Sequence, residues 1–243
     1  MKSLIQYLRE MEGGATPGIT LGMGNPMPAT TTTMGTEPLV IKKCKKKKIK
    51  ESILDDENEL ENLEGNIKDI IKQFLNDNYN GASKCKISKN PNKDGKFIVD
   101  CNYELSMKNI HCKKLTNEYF IFGEIKGNFD CSYCDSLTSL DGAPEKVGGD
   151  FNCNNCKSLK SLEGAPKKVG GFFCCNDCNS LTTLEGAPEI VGEVFNCSYC
   201  KSLTSLEGAP KRVGNDFACY NCGKKFTKDD VKKYVNVVKI ART

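Results

Sequence analysis

The sequence predicts a mainly β repeat solenoid with a period of 22 residues, a small α+β N-terminal cap, a C-terminal helical cap and a disordered N-terminal tail. Three observations predict it. Cys131, Cys153, Cys175, Cys197 and Cys219 are each 22 residues apart, and so are Cys134, Cys156, Cys178, Cys200 and Cys222. Four units carry SLTSLDGAP, SLKSLEGAP, SLTTLEGAP and SLTSLEGAP, with Val147, Val169, Val191 and Val213 on the same step. A unit this short holds only about six apolar side chains, too few to bury a face alone, so identical units must stack to cover one another.

Ahead of the repeats the chain changes character twice. Leu4, Ile5, Leu8 and Met11 fall at helical spacing and predict a short amphipathic helix over residues 2–11. Residues 13–41 are dominated by Gly, Pro and Thr, which bury little and hydrogen-bond to water, so they read as disordered linker. Residues 42–50 (KKCKKKKIK) hold seven lysines, and residues 51–64 (ESILDDENELENLE) hold seven acids and no base. Both blocks read as solvated. Residues 1–64 are therefore leader plus charged linker, and residues 1–41 should add nothing to the stability of the rest.

Residues 65–106 form the N-terminal cap. The ordered part is expected from about Gly65, with Ile67, Ile70, Ile71, Phe74 and Leu75 on one helical face. Residues 84–88 and 96–105 flank the turn signal NPNKDG and read as a hairpin. The solenoid occupies 107–222. Its register extends backwards: Cys112, Leu115, Thr116 and Ile125 each stand 22 residues before Cys134, Leu137, Thr138 and Val147. Residues 107–126 are thus a degenerate first turn.

Within a unit, Phe151 and Cys153 alternate with Asp150, Asn152 and Asn154, which is strand periodicity. Leu159 and Leu162 should form the opposite wall. Pro166 suits the start of a short helical or 3₁₀ turn, which Gly170–Gly171 would end. In-register strands are about 4.8 Å apart, so five turns give a rod roughly 25 Å long. Residues 223–243 offer Phe226, Val231, Tyr234, Val235 and Val238 to cover the last open strand edge.

The unit CxSLTSLEGAPxxVGGDFxC resembles a leucine-rich repeat of the bacterial and tailed-phage type. Cys156, Ser158–Ser161, Pro166 and Val169 carry the resemblance, which covers residues 107–222. Gly-Ala stands before the proline where that group has a strand-forming Ile, so LTSL is either a second strand or a turn. The resemblance implies a binding scaffold and no common enzymatic activity. More weakly, MKSLIQYLREMEGG is similar to leaders that large tailed phages place on proteins packaged in the head. Those leaders are cut at a Glu, for which Glu10 and Glu12 are the candidates. That implies a phage virion or accessory protein, in the reducing host cytoplasm or the virion interior.

Composition narrows the chemistry. Lys plus Arg is 35 and Asp plus Glu is 31, a net charge of +4, too mild to imply nucleic acid by itself. His111 is the single histidine, which excludes any site needing two. The odd count of 15 cysteines is incompatible with complete pairing inside the chain, and no apolar run is long enough to span a membrane. Cys112 lies beside His111 but points to the opposite side of an extended chain. No catalytic residue and no cofactor are expected.

The CxxC pairs admit two readings. In the first, cysteine is a small buried apolar residue forming a ladder. In the second, CxxC–x18–CxxC binds zinc and the protein contacts nucleic acid. Five equally spaced pairs do not divide into sets of four, which favours the ladder. Parallel Cβ vectors about 4.8 Å apart disfavour disulfides along it.

Binding is the remaining function. Ser132, Asn154, Asn176, Ser198 and Tyr220, with Tyr133, Asn155, Asp177, Tyr199 and Asn221, are expected as outward strand positions forming a polar strip for a protein partner. Cys174 falls on an outward column and is the repeat cysteine expected to meet solvent reagents. Lys42–Lys50 would bind nucleic acid weakly and without sequence preference.

Overall fold

The computed structural model describes residues 57–107 and 113–242. The leader, the Gly/Pro/Thr tract, Lys42–Lys50, His111 and Cys112 lie outside them. The chain is a β-solenoid whose turns repeat every 22 residues.

Helix α1 (Glu57–Asn78) opens the cap. It begins inside the acidic block rather than at Gly65, and acidic residues suit the first turn of a helix. Ile67, Ile71 and Leu75 are buried on its inner face, while Ile70, 45% exposed, lies outside it. Strand β1 (Tyr79–Asn80) follows, then a 3₁₀ turn at Ala82–Lys84. The expected hairpin is β2 (Cys85–Ile87) antiparallel to β3 (Phe97–Cys101). Strand β4 (Leu105–Met107) pairs with β1.

The repeats contribute two strands each. One set is β5 (Phe120–Ile125), β7 (Lys146–Val147), β9 (Lys168–Val169) and β11 (Ile190–Val191). The other is β6 (Phe129–Asp130), β8 (Phe151–Asn152), β10 (Phe173–Cys174) and β12 (Phe195–Asn196). Both parallel ladders end on one long strand, β13 (Arg212–Ala218), and both begin in the cap, on β3 and β4. The cap is therefore the first course of the same sheet.

The expected helical turn at Pro166 is not formed; β9 stands in its place. A proline φ near −65° is as compatible with extended chain as with helix. The next turn decides between them, because Gly170 N donates to the Val147 carbonyl at 2.9 Å, bonding each strand to its copy in the neighbouring turn. Gly170 makes the corner between the two ladders instead. A Cβ there would strike the Gly148 carbonyl oxygen, and the Gly192 corner repeats this against Gly170. LTSL is neither strand nor regular turn. It runs irregularly, with Leu159 and Leu162 fully buried as the opposite wall.

Inside, the columns are continuous. Phe129, Phe151, Phe173, Phe195 and Phe217 stack face to face, with successive centroids 5.5, 5.2, 5.2 and 5.2 Å apart. Leu105 extends that column into the cap and Cys101 extends the valine column. Leu115 is buried, as its place in the first turn requires. At the far end α2 (Lys228–Tyr234) is capped by Thr227, whose side chain accepts from Asp230 N. It leads into β14 (Asn236–Arg242), parallel to β13. Helix plus strand cover the last edge, and Phe226, Val231 and Val235 are buried beneath them.

Candidate partner-binding face

The two strands of a unit leave through different corners, and the corner after the phenylalanine strand carries the predicted strip. Its geometry comes from side chains that cap the backbone. Asp130 Oδ1 accepts from Ser132 N at 2.9 Å, Asn152 Oδ1 from Asn154 N at 3.1 Å, and Asn196 Oδ1 from Ser198 N at 3.0 Å. These Asx turns support a chain reversal in which the next residue adopts left-handed backbone, and the units with Cys174 and Ala218 at the capping place make the same reversal. Tyr133, Asn155, Asp177, Tyr199 and Asn221 have φ of 61, 57, 60, 62 and 56°. They stand at a corner, not on a strand, so their side chains project from a ridge. The backbone N–H groups of the first four are already used: Tyr133 donates to the Asn154 carbonyl, Asn155 to Asn176, Asp177 to Ser198 and Tyr199 to the Tyr220 carbonyl.

Ten residues were expected to face outward, and the structure separates them. Tyr133 is 59% exposed and Tyr199 38%. Asn221 is also exposed. Ser132, Asn154, Asn155, Asn176, Asp177 and Tyr220 are half-buried. Ser198 is fully buried, and its hydroxyl has no hydrogen-bond partner among the described residues. Ser132 and Asn154 make the same turn and stay half-buried, so the burial of Ser198 is particular to its place in the rod.

The strip is not uniform along the rod. Tyr133 stands at one end. At the other, the Tyr199 and Tyr220 rings meet edge to face at 5.1 Å, and Lys201 Nζ lies 5.6 Å from the Tyr199 centroid. The middle is polar and tied internally, since Asn176 Nδ2 donates to Asp177 Oδ2 at 2.9 Å. Lys201 could have been found from sequence, as the basic residue two places after Tyr199.

The third unit departs from the rule, because Cys174 occupies the Asx position and cannot cap. Asn154 of the preceding turn substitutes, its Oδ1 accepting from Asn176 N at 3.1 Å. Cys174 is half-buried, and burial, with Asp150 beside it, pushes its thiol up to about 11. It is less available as a thiolate than an outward cysteine should be. Cys85 and Cys222 are also half-buried.

The CxxC pairs form two internal files. Cys156 Sγ donates to the Cys131 carbonyl, Cys178 to Cys153, Cys200 to Cys175 and Cys222 to Cys197, each at 3.2 Å. Burial holds the thiols of Cys131, Cys153, Cys175 and Cys197 far above the ordinary range. Among the described residues no three His, Cys, Asp or Glu side chains are grouped to hold a metal ion, and all thirteen cysteines are thiols. Among them, too, no helix is long and apolar enough to cross a membrane.

Another concavity, about 400 Å³, lies between α1 and β2 and is lined by Lys68, Lys72, Leu75, Ala82, Cys85 and Ile87. Its one thiol, Cys85, is raised by burial and by Cys101 opposite it.

Neither a protein-family model, nor a curated protein, nor a solved structure matches the chain.

Proposed function

We propose that the protein is a non-enzymatic interaction scaffold whose corner strip binds a protein partner. One observation carries this reading. Left-handed backbone favours Asn, Asp or Gly, and it costs other residues about 1–2 kcal/mol. The repeat uses Asn155, Asp177 and Asn221 at this corner, yet Tyr133 and Tyr199 stand at the same φ and expose their rings. Tyr199 recovers part of that cost against Tyr220 and Lys201, but the fold gains little from the Tyr133 ring, which is 59% exposed. A surface selected to bind gains from it, because Tyr contributes rigid amphipathic contact area. The capped backbone adds to it by presenting the rings from fixed positions.

The direct experiment captures partners from the source cells on immobilised protein. It compares the wild type with Tyr133→Asn/Tyr199→Asn, which installs the repeat's own corner residue. A partner retained by the first and lost by the second, with equal thermal melts, supports the strip. A partner retained equally by both removes it.

The finer identity rests on sequence resemblance. The CxSLTS–Pro–Val unit supports a leucine-rich-repeat-like scaffold of tailed-phage type. The N-terminal segment supports delivery into the virion, with the host cytoplasm as the site of synthesis. Fusing residues 1–41 to an unrelated soluble protein tests this, against a control with Leu4, Ile5 and Leu8 replaced by Ser. Head packaging of the first fusion alone, with cleavage near Glu10 or Glu12, supports the leader. Contact of Lys42–Lys50 with nucleic acid is a secondary proposal, tested by the salt dependence of DNA binding.

A further inference from the structure

The concavity between α1 and β2 has a cysteine on its wall, and a second cysteine stands opposite the first in the sheet. Cys85 of β2 is paired in register with Cys101 of β3. The inward column that they begin runs on through Ile125, Val147, Val169, Val191 and Val213. Every later place takes a β-branched apolar residue, which suits a strand. Two thiols side by side depart from the column's own rule.

Their pairing is of the kind that brings side chains together. Ser88 N donates to the Ile98 carbonyl at 2.8 Å, which makes Ser88 and Ile98 a hydrogen-bonded pair of the antiparallel ladder. Such pairs alternate with pairs that exchange no bond. Counting back along the register, Ile87 and Val99 exchange none, Lys86 and Asp100 do, and Cys85 and Cys101 do not. At an unbonded pair the Cα atoms are about 4.5 Å apart and the side chains lie closer than at the bonded ones, within the separation a disulfide spans. The cysteine files inside the solenoid lie between parallel turns and have no such place. Access completes the geometry. Cys101 is buried, whereas Cys85 is half-buried and lines the concavity with Leu75, Ala82 and Ile87. Strand β2 ends the sheet, paired only with β3 among the described residues, so it is among the first strands to open.

We propose that Cys85 and Cys101 are a thiol–disulfide exchange site, oxidised through this concavity by a low-molecular-weight disulfide of the glutathione class. Cys85 gives up its proton, and its sulfur attacks one sulfur of the compound. The S–S bond breaks, and one half leaves as a thiolate that takes up a proton. Cys101 then attacks the Cys85 sulfur of the mixed disulfide, and the second half leaves as thiol. Two protein thiols are oxidised to one disulfide, and one small disulfide is reduced to two thiols. Burial and the neighbouring Cys101 hold the Cys85 thiol well above its ordinary range, so the first step is slow. The second follows quickly, because its partners already stand opposite each other. The link closes residues 86–100 into a ring and ties the sheet's free edge to β3. The site is independent of the Tyr strip, which belongs to the repeats.

Oxidised glutathione tests this on the full chain, starting from fully reduced protein. Remaining thiols are blocked with N-ethylmaleimide, and tryptic peptides are analysed by mass spectrometry without reduction. The wild type should give the 85–86 dipeptide joined to the 97–108 peptide, with little glutathione left on Cys85. Cys101→Val, which installs the column's own residue, should leave Cys85 carrying roughly tenfold more glutathione than in the wild type. Cys85→Val should leave Cys101 a free thiol, because the residue that meets solvent is gone. The wild-type peptide is decisive by itself should a variant fail to fold. A wild type in which Cys85 ends as a stable glutathione adduct, or in which both cysteines stay free, overturns the proposal. So does Cys101 linked to another cysteine in preference to Cys85.

Discussion

The Cys178 thiol donates to the Cys153 carbonyl oxygen at 3.2 Å, joining the second cysteine of one unit to the first cysteine of the unit before it. The same bond recurs at Cys156, Cys200 and Cys222. Cysteine serves here as a small side chain that fills the interior and satisfies a carbonyl that the ladders leave over. It does so only while protonated.

Stability should therefore fall in alkali. Thiols of the unfolded chain ionise from about pH 8.5. The buried ones stay protonated well above that, so the native state binds more protons, and stability drops as pH rises. The contribution is complete below the unfolded value. It is lost through a window that closes first at Cys174, about 11, and Cys219, about 12. Each thiol contributes a slope of about 1.4 kcal/mol per pH unit inside that window. Melts under reducing conditions between neutral pH and moderate alkali should show a progressive loss. A flat profile would place the thiols in solvent.

Metal removal should leave the fold unchanged. Each second cysteine already has a carbonyl partner, and no thiolate cluster forms among the described residues. Protein purified without added metal should carry far less than one zinc per chain, and chelator should leave its melting temperature unaltered. About two zinc ions per chain, released together with unfolding, would reinstate the zinc-binding reading.

Interior truncation should be costly. Leu159 and Leu181 are fully buried between neighbouring turns, and Leu→Ala at either should cost about 2–5 kcal/mol in denaturant melts.

Asn154 and Cys174 should show coupling. Asn154→Ala removes the acceptor of Asn176 N and should cost about 1 kcal/mol. Cys174→Asn would restore the acceptor two residues upstream, as in the neighbouring units. In that background Asn154→Ala should cost well under half as much. Additive melts would show that the bond across turns carries no weight.

Two glycines should respond with opposite sign. A Cβ on Gly192 would meet the Gly170 carbonyl oxygen, backbone that cannot move aside, so Gly192→Ala should cost more than about 2 kcal/mol. Gly65, within α1, has nothing within 4 Å of a new Cβ, and Gly65→Ala should stabilise by about 0.5–1 kcal/mol.

Features repeated at 22 residues could be read from the sequence: the solenoid, the Phe and Leu walls, the cysteine files and the degenerate first turn at Leu115. The second ladder could not. A two-residue strand such as Lys168–Val169 has no alternation of its own, and its bonds go to residues one full turn away. Pro166 and Gly170 then read as helix punctuation. Part of the strip was legible in Tyr133, Tyr199 and Tyr220. The burial of Ser198 was not, because its counterparts Ser132 and Asn154 share its register and its cap and remain half-buried.

Because both ladders begin in the cap and close on β13, every intermediate turn meets the same surface above and below. An in-frame duplication of one unit would find its partners already built and lengthen the rod by one strand spacing, about 4.8 Å. Any shorter insertion would throw the Phe and Val columns out of step at every later turn. The gene can thus change the protein's reach in whole units by unequal crossing-over, and the two ends need not evolve to accommodate it.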